Sequence, residues 1–457
     1  MNKSILILFL LIVVAIFPSC DKNDPPLPDN LIAFNTGDLG FDEGANELEV
    51  SVTASRVVDA ATSITINLQT EDVAYGTEFT TEPAAVNNAL TLTIPAGSAS
   101  ATFKIKKTAG LFLNGGEAIH FTITQVGQPS LAGELKELKV SFSAITSAGS
   151  NLQLEGGEGG SAAENSVFVD LSANRQTAVG RDEWDLGFYS GTDFRVIINN
   201  TTGASAIKVD KTDLTKVSSA DINPDDLKLG QGLGSFSLID DVNGDITKTV
   251  IAAVSATESE NKVYVINRKG GDRSVAPVAD LYKVKISRKD NGYVLQYARL
   301  NETTVKSLEI TKDAEYNFRY ASFDNGLVAV EPKKDSWDFE WGWSMYFTGT
   351  IPYGFSDLVF INHHAGVQAA EVLTSAVSYE AFNESKLSGI TFSGSRDVIG
   401  SKWRATTGTP GVKTDRFYLI KDAAGNIYKL KFISFIAEDG GVRGRPKLEY
   451  VLVKKGA

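Results

Sequence analysis

Apolar and polar residues alternate with a period of two along most of the chain beyond residue 31. Clear examples are residues 50–53, 64–68 and 90–94, in which every second side chain is apolar, as in a strand that buries one face. Helical periodicity is scarce, and residues 365–378 form the one longer helix candidate. The pattern therefore predicts an all-β protein.

Turn signals separate these alternating stretches. Asn243-Gly244 lies between two of them, residues 235–239 and 246–250, which predicts a β-hairpin with a type I′ turn. A proline that follows an asparagine predicts a single helical turn at Pro224–Leu227.

One pattern occurs twice in the last two thirds of the chain. In each copy a Trp-Asp pair begins a stretch of alternating apolar and polar residues. Each copy ends on a predicted strand, at residues 293–297 and 428–432, that follows an Asn-Gly or Gly-Asn turn. The copies lie much further apart than the roughly 20–50 residues of a solenoid repeat, which indicates a duplicated domain. The matched positions are Phe168, Ser172, Trp184 and Asp185 in the first copy, and Phe318, Ser322, Trp337 and Asp338 in the second.

Composition and repeats divide the chain into six segments. We expect a signal peptide, a lipidated tether, a β-sandwich, a glycine-rich linker and two duplicated β-rich units. Their expected bounds are residues 1–19, 20–30, 31–146, 147–161, 162–305 and 306–457.

The amino terminus resembles a bacterial lipoprotein signal. Lys3 precedes an apolar run over residues 5–17, which is shorter than the roughly 20 residues needed to span a bilayer but suits a signal peptide. Cys20, the one cysteine of the chain, follows Ser19 and would become the lipidated first residue. We therefore expect a membrane anchor made of lipid. An ordinary secretory signal with an incidental cysteine is the alternative.

Charge and motifs exclude several functions. Acidic residues outnumber basic ones by 56 to 44, so a nucleic-acid backbone is a poor partner. The chain has three histidines and neither an H-E-x-x-H nor a G-x-S-x-G motif. We therefore expect a protein that is not an enzyme.

Residues 31–146 resemble the Calx-β family of immunoglobulin-like sandwiches. Residues 41–44 and 114–117 are similar to that family's acidic turns, and 70–79 and 92–97 to its central strands. The resemblance implies calcium ligands near Glu43, Glu71, Asp72, Glu78 and Glu117. Lys106 and Lys107 stand where the family usually has an acidic pair, and they would repel a divalent ion. We favour a structural spacer without calcium.

The chain from Tyr316 onward resembles the HmuY-like family of surface lipoproteins, and residues 167–300 repeat the pattern more loosely. The matching residues are Tyr316, Tyr320, Ser322, Phe323, Ser336, Trp337, Asp338, Trp403, Arg416, Phe417, Lys421, Gly425, Ile427 and Lys429. The resemblance implies a protein anchored in the outer membrane and exposed at the cell surface. It also implies haem as a ligand and an outer-membrane transporter as a possible partner.

The residues that would hold haem are not where the resemblance places them. The family's axial histidines would fall in residues 382–398 and 406–408, and neither segment contains His or Met. The remaining candidate axial ligands are Met345 with His363 or His364. Trp341 and Trp343 are the candidate pocket aromatics, on an alternating stripe from Trp337 to Phe347. The alternation favours a core face for this stripe, with Met345 filling a gap, and a solvated loop for the histidine pair.

The leading interpretation is a non-enzymatic, lipid-anchored binding protein of the haem-acquisition type. The alternative is a structural or adhesive surface lipoprotein that binds a protein or a glycan, without haem.

Overall fold

The computed structural model describes residues 28–41, 45–108, 117–142, 146–269 and 274–456. Within these ranges the chain forms thirty β-strands and eleven short 3-10 helices, so the all-β prediction is confirmed. Among the described residues, we find no helix with the length and apolar character needed to cross a membrane. Cys20 and Glu43 lie outside the described residues.

The amino-terminal part is a sandwich of two five-stranded sheets. Its strands are β1 (Leu31–Phe34), β2 (Asp38–Gly40), β3 (Glu47–Ala54), β4 (Thr62–Glu71), β5 (Phe79–Glu82), β6 (Ala89–Ile94), β7 (Ser100–Lys107), β8 (Ala118–Val126), β9 (Leu131–Ala132) and β10 (Glu137–Ser141). They pair in the orders β5-β7-β3-β1-β9 and β2-β10-β8-β4-β6. Along β3 every second side chain is buried, and these side chains join those of both sheets in one core.

The rest of the chain builds four larger sheets and one two-stranded ribbon. The strands up to the middle of this region are β11 (Gly149–Gln153), β12 (Asn165–Asp170), β13 (Arg175–Gly180), β14 (Leu186–Tyr189), β15 (Val196–Ile198), β16 (Ser205–Val209), β17 (Val263–Asn267), β18 (Tyr282–Lys289), β19 (Gly292–Arg299) and β20 (Lys306–Thr311). The later strands are β21 (Phe318–Ser322), β22 (Gly326–Val328), β23 (Phe339–Thr348), β24 (Ile351–Ile361), β25 (Gln368–Leu373), β26 (Arg404–Ala405), β27 (Gly411–Val412), β28 (Arg416–Lys421), β29 (Ile427–Ser434) and β30 (Lys447–Lys454).

Short 3-10 helices connect these strands. Their bounds are Gly160–Ala162, Asn200–Thr202, Leu214–Lys216, Ser219–Asp221, Pro224–Leu227, Phe236–Leu238, Glu258–Glu260, Val278–Asp280, His363–Ala365, Glu384–Gly389 and Ala437–Asp439. The helical turn expected at Pro224–Leu227 is thus confirmed, with the Asn223 side chain accepting a hydrogen bond from the Asp225 amide.

The two copies of the repeat exchange strands. The first outer sheet has the order β16-β17-β18-β19-β20, in which the edge strand β20 begins the second copy. The second outer sheet has the order β25-β28-β29-β30-β11, in which the edge strand β11 precedes the rest of the first copy. The inner sheets, β13-β12-β23-β24 and β22-β21-β14-β15, match strand for strand in the same way. Strands of both copies lie within each sheet, so the expected boundary at residues 305 and 306 does not separate two bodies.

Two further expectations about the repeat need correction. Residues 147–161 contain β11, which pairs with β30, so this segment is part of a sheet and more than a linker. The strand orders also show that β19 corresponds to β30, each being the fourth strand of its sheet. The repeat pattern instead matches residues 293–297 of β19 with residues 428–432 of β29, which is one strand too early. The error arose because both β19 and β29 follow a glycine turn and alternate in the same way.

The Trp-Asp pairs hold the two copies together reciprocally. The Asp185 carboxylate accepts a hydrogen bond from the Phe323 amide at 2.7 Å, and Asp338 accepts one from the Leu171 amide at 2.8 Å. The tryptophans pack edge-on against aromatic rings of the opposite copy, Trp184 against Tyr320 at 4.8 Å and Trp337 against Phe168 at 5.1 Å. Phe168 therefore corresponds to Tyr320, and not to Phe318 as the repeat pattern predicts.

Two local predictions were wrong. Residues 365–378 contain the strand β25 instead of a helix, because pairing with β28 overrides the helical pattern. The expected hairpin around Asn243-Gly244 is a 3-10 helix followed by turns. There the Asp240 carboxylate accepts hydrogen bonds from the Ile198 and Val250 amides, and the Val250 amide is a donor that the hairpin would need.

Candidate functional site

A cavity of about 110 Å³ lies where the two inner sheets face each other. Its walls come from corresponding positions in the two copies, including the four rings of the reciprocal Trp-Asp contacts. The apolar part of the lining consists mainly of Phe168, Trp184, Phe318, Tyr320, Trp337 and Phe360. The cavity therefore sits on the pseudo-twofold axis of the duplication.

Two buried carboxyl groups form part of the cavity wall. Asp240 accepts hydrogen bonds from the Ile198 and Val250 amides at 2.7 and 2.9 Å, and burial raises its pKa to about 7. Glu331 accepts a hydrogen bond from the Phe318 amide at 2.6 Å, and burial raises its pKa to about 8. At neutral pH the proton on Glu331 makes this group a hydrogen-bond donor as well as an acceptor.

His363 and His364 line the same cavity. They begin a 3-10 helix, so their rings lie side by side, with centroids 3.9 Å apart, and do not point in opposite directions as in extended chain. Both are half-buried, so the interpretation as a solvated loop pair is wrong. Burial lowers the pKa of both, that of His364 to about 3, which keeps the imidazoles neutral at physiological pH.

The first copy has its own version of this histidine turn. Asn199 and Asn362 are equivalent, since each donates to the carbonyl of its own Trp, at 2.8 Å to Trp184 and 3.0 Å to Trp337. The next two residues are Asn200-Thr201 in one copy and His363-His364 in the other, and all four line the cavity. In both copies these two residues begin a 3-10 helix, and a glycine with positive φ follows that helix.

The candidate ligand Met345 lies elsewhere. It is 1% exposed and belongs to the core between β14, β15 and the sheet of β17–β19, and it is not among the residues that line the histidine cavity. The structure therefore does not bring Met345 and either histidine together around one ligand.

The aromatic stripe of β23 is divided among several environments. The register between β23 and β24 shifts between Gly342 and Ser344. Trp341 is fully buried in the core between β12, β23, β24 and the sheet of β28–β30. Trp343 is half-buried and faces a different space. The two candidate pocket aromatics thus do not line one pocket, and neither lines the histidine cavity.

Trp343 lies in an open cleft of about 990 Å³. Its ring covers Gly354, where a side chain would collide with it, and the Arg181 guanidinium lies 5.3 Å from its centre. Lys269, on the same cleft, forms an ion pair of 3.1 Å with Asp182. The cleft combines a flat aromatic surface with two cationic side chains, Arg181 and Lys269, and two acidic ones, Glu164 and Asp182.

Two of the residues implied as calcium ligands have other partners. Glu71 contacts His120 at 3.1 Å and Lys139 at 3.6 Å, and Glu78 accepts a hydrogen bond from the Ala74 amide at 2.7 Å. Asp72 has a left-handed backbone conformation, and Glu117 is buried. Across the described ranges, no group of three or more His, Cys, Asp or Glu side chains is arranged to hold a metal ion.

Haem fits the two spaces differently. The cavity with the histidines measures about 110 Å³, well below the roughly 300–1,000 Å³ of pockets for drug-sized ligands, so a tetrapyrrole does not fit there. The open cleft has the volume, but its described lining contains no His, Met, Cys or Tyr. The two requirements of a haem site, room and an axial side chain, are separated in this fold.

Comparison with known families identifies the larger part of the chain. The family model described as HmuY protein matches residues 162–450 as one unit that spans both copies of the repeat. The chain belongs to the HmuY family. No curated protein matches the chain.

Among solved structures, the similarities are weak. The apo form of the Calx CBD1 domain is 17% identical, covers 25% of this chain and 97% of its own, and has a TM-score of 0.22. A two-domain protein of unknown function from Bacteroides fragilis is 13% identical, covers 46% of this chain and 81% of its own, and has a TM-score of 0.19. Scores this low support no argument about function, and the Calx-β resemblance of residues 31–146 stays a prediction.

Sequence reasoning missed most of the cavity. Glu331, Glu340 and Arg396 line it but come from separate segments without a shared motif. One signal was available: Ile-Asn-x-x-x-Gly occurs at residues 198–203 and again at 361–366. Aligning these two stretches would have placed the histidines opposite Asn200 and Thr201.

Proposed function

We propose that this chain is a non-enzymatic surface binding protein of the haem-acquisition type, anchored in the outer membrane through a lipid on Cys20. Membership of the HmuY family over residues 162–450 supports the ligand class. The apolar run that ends at Cys20 supports the anchor. An outer-membrane transporter that accepts the ligand would be the expected partner.

The observation that carries this proposal is the open cleft at Trp343. A planar tetrapyrrole can stack on an aromatic face that is held flat against a strand, and the contact with Gly354 holds Trp343 in this way. Arg181 and Lys269 lie on the same cleft and would pair with the two carboxylates of the ligand, Lys269 in place of its contact with Asp182. Stacking and charge, without an axial side chain from the described residues, would give the affinity.

The test is a titration of residues 21–457 with haemin, followed by Trp fluorescence and the Soret band. We expect saturable binding that Trp343→Ala weakens at least tenfold, because the stacking surface is lost. Phe236→Ala is the matched control, since Phe236 is an exposed aromatic residue outside the cleft.

A second set of variants separates the cleft from the axial-ligand hypothesis. If His363→Ala or His364→Ala changes the Soret band while Trp343→Ala does not, the ligand lies at the histidines and the cleft assignment is wrong. A change with Met345→Ala alone would place the ligand at Met345 instead. If no saturable binding occurs with the unmodified protein, the proposal fails and the structural or adhesive alternative is favoured.

A further inference from the structure

Acidic side chains outnumber basic ones in the lining of the small cavity. Besides the two histidines, which burial keeps neutral, the described lining has the guanidinium of Arg396 against the carboxyl groups of Asp240, Asp241, Asp245, Glu331 and Glu340. Lys248, outside the lining, pairs with Asp245 at 2.9 Å, and the acidic groups still prevail. The cavity therefore favours a positively charged occupant over an anion.

Glu340 differs from the other acidic residues of this lining because its carboxylate has no close partner. Backbone amides donate hydrogen bonds to Asp240, Asp241 and Glu331. Within the described ranges the half-buried Glu340 makes no hydrogen bond or ion pair, and it is attracted from further away by Arg181 and Arg396. A carboxylate partly removed from water is stabilised most by a cation that donates hydrogen bonds to it.

The strand register places Glu340 between two aromatic side chains. It lies directly opposite Phe168 of β12 and Phe360 of β24, and residues opposite one another on neighbouring strands project from the same face of the sheet. Both of these rings line the cavity. In the first copy the equivalent position, two residues after the aspartate of the Trp-Asp pair, is Gly187. The carboxylate is thus flanked by rings on its own sheet and has no counterpart on the facing sheet.

A cation already lies on this aromatic wall. The Arg396 guanidinium is 4.1 Å from the centre of the Phe360 ring, close enough for the ring face to attract the charge. The other aromatic residues of the lining have no cationic side chain over their rings among the described residues, and they are Phe168, Trp184, Phe318, Tyr320 and Trp337. The aromatic lining therefore accepts a cation, and Arg396 covers one of its rings.

The Ser166 hydroxyl faces the same space and lacks a partner. Ser166 precedes Phe168 by two residues on β12, so both side chains project from the same face. It is 4% exposed, and its Oγ has no hydrogen-bond partner among the described residues. A Cβ at Gly342, two residues after Glu340 on β23, would lie 3.4 Å from this Oγ. The hydroxyl and the Glu340 carboxylate therefore occupy adjacent positions on one sheet face, beside a glycine that leaves room.

Two of the three buried lining atoms without a partner are able to accept hydrogen bonds. They are Ser166 Oγ and Asn200 Oδ1, whereas Trp337 Nε1 only donates. A buried polar atom without a partner costs about 1–3 kcal/mol, so these acceptors, like Glu340, favour an occupant rich in donors. An ammonium group supplies three donors together with a positive charge.

We propose that this cavity binds an alkylammonium group, whose N–H donors contact the Glu340 carboxylate and the Ser166 hydroxyl while its methylene groups contact the aromatic rings. An engineered cavity of about 150 Å³ accepts benzene, so a cavity of about 110 Å³ accommodates a short alkyl chain. The group belongs either to a free amine or to a lysine side chain of a peptide. The site is distinct from the Trp343 cleft and does not depend on haem binding.

The experiment is isothermal titration calorimetry of residues 21–457 at constant ionic strength. The probes are butylammonium, the methylamide of N-acetyl-lysine, which carries the same four-carbon chain and ammonium group, and 1-butanol as the neutral counterpart. We expect saturable binding of at least one ammonium probe and none of 1-butanol. Binding of butylammonium alone identifies a free amine as the source, and tighter binding of the lysine derivative identifies a peptide.

Two variants locate the site. Glu340→Gln keeps the shape of the side chain and removes the charge, which should weaken binding about tenfold or more. Ser166→Ala removes one acceptor and should weaken binding about threefold to tenfold. Glu155→Gln is the matched control, because Glu155 is also a half-buried glutamate but lies outside the cavity, and its affinity should stay unchanged.

Four outcomes would overturn the proposal. Absence of saturable binding by both ammonium probes would mean that no amine enters the cavity, and equal affinity for 1-butanol would mean that charge is not recognised. Equal losses in Glu340→Gln and Glu155→Gln would show that only the overall charge of the protein matters. Competition by haemin would place the amine in the Trp343 cleft. If Glu340→Gln does not fold, as judged by circular dichroism, Ser166→Ala decides. Failure of haemin to bind leaves this test unaffected.

Discussion

The two Trp-Asp pairs occupy equivalent positions but differ in their electrostatic surroundings. Asp185 is contacted by Arg268, with nitrogen–oxygen distances of 2.5 and 3.0 Å. Asp338 instead lies near the carboxyl group of Asp170, and burial together with that negative charge raises its pKa well above its ordinary value. Burial raises the pKa of Asp185 as well, but there the Arg268 guanidinium opposes the effect of burial. The same backbone contact is thus made by an ion-paired carboxylate in one copy and by a carboxyl group beside a second acid in the other.

This difference indicates which features the duplicated fold requires. Both copies keep the hydrogen bond that the aspartate accepts from an amide of the opposite copy, and both keep the edge-on aromatic contact, since these join the inner sheets. The groups around the shared cavity differ, with Asn200-Thr201 facing His363-His364. The scaffold is symmetric, while the chemistry of the cavity is not.

The largest effect is expected at Arg268. Arg268→Met leaves Asp185, 5% exposed, without its partner, and removing one member of a buried ion pair costs about 3–5 kcal/mol. Urea unfolding should show this loss in the free energy of unfolding. Arg299→Met is the control, because Arg299 and Asp280 form an exposed pair worth about 1 kcal/mol or less. Equal losses in both variants would mean that the ion pair of Arg268 with Asp185 stabilises the protein no more than an exposed pair does. The contrast between Asp185 and Asp338 would then have no energetic consequence.

The sequence predicted the strands better than it predicted the site. The stretches 50–53, 64–68 and 90–94 lie within β3, β4 and β6, because burial of one face leaves a local signal with a period of two. The cavity depends on strand exchange, which brings Phe168 against Trp337 across more than a hundred residues. No local periodicity reports such a contact, and Glu331 and Arg396 reach the cavity from segments without a recurring motif. The repeated Trp-Asp pair indicated the duplication correctly but gave no sign that the copies share sheets.

A second effect, dependent on pH, should distinguish the buried carboxyl groups on the two sides of the cavity. The folded-state pKa of Glu331 is about 8, against an ordinary value of 4.5. Because the pKa is raised, the protonated group contributes its full stability below pH 4.5 and loses it as the pH rises to 8. The free energy of unfolding should therefore fall by up to about 1.4 kcal/mol per pH unit within that window.

Glu331→Gln should flatten this part of the profile, since glutamine still accepts the hydrogen bond from the Phe318 amide and does not titrate. Asp240→Asn should flatten the profile over a lower pH range, between the ordinary pKa of 3.8 and the folded-state pKa of about 7. The measurement is urea unfolding at several pH values between 4.5 and 8. Parallel profiles for Glu331→Gln and the unmodified protein would show that Glu331 is already ionised in the folded state.

The smallest effect is expected when the histidine turn is given the residues of its counterpart. His363→Asn combined with His364→Thr reproduces Asn200-Thr201, which occupy the equivalent 3-10 helix before a glycine of positive φ. The backbone should therefore accept both substitutions. What is lost is the packing of the His364 ring against Tyr189 and Phe318, at 5.6 and 5.5 Å, and the contact of His363 Nε2 with the Gly244 carbonyl at 3.1 Å, each worth about 1 kcal/mol. A thermal unfolding curve close to that of the unmodified protein would confirm that the two turns are interchangeable. A loss of several kcal/mol would mean that the histidines are required by the fold itself, and that the symmetry of the scaffold ends at Asn199 and Asn362.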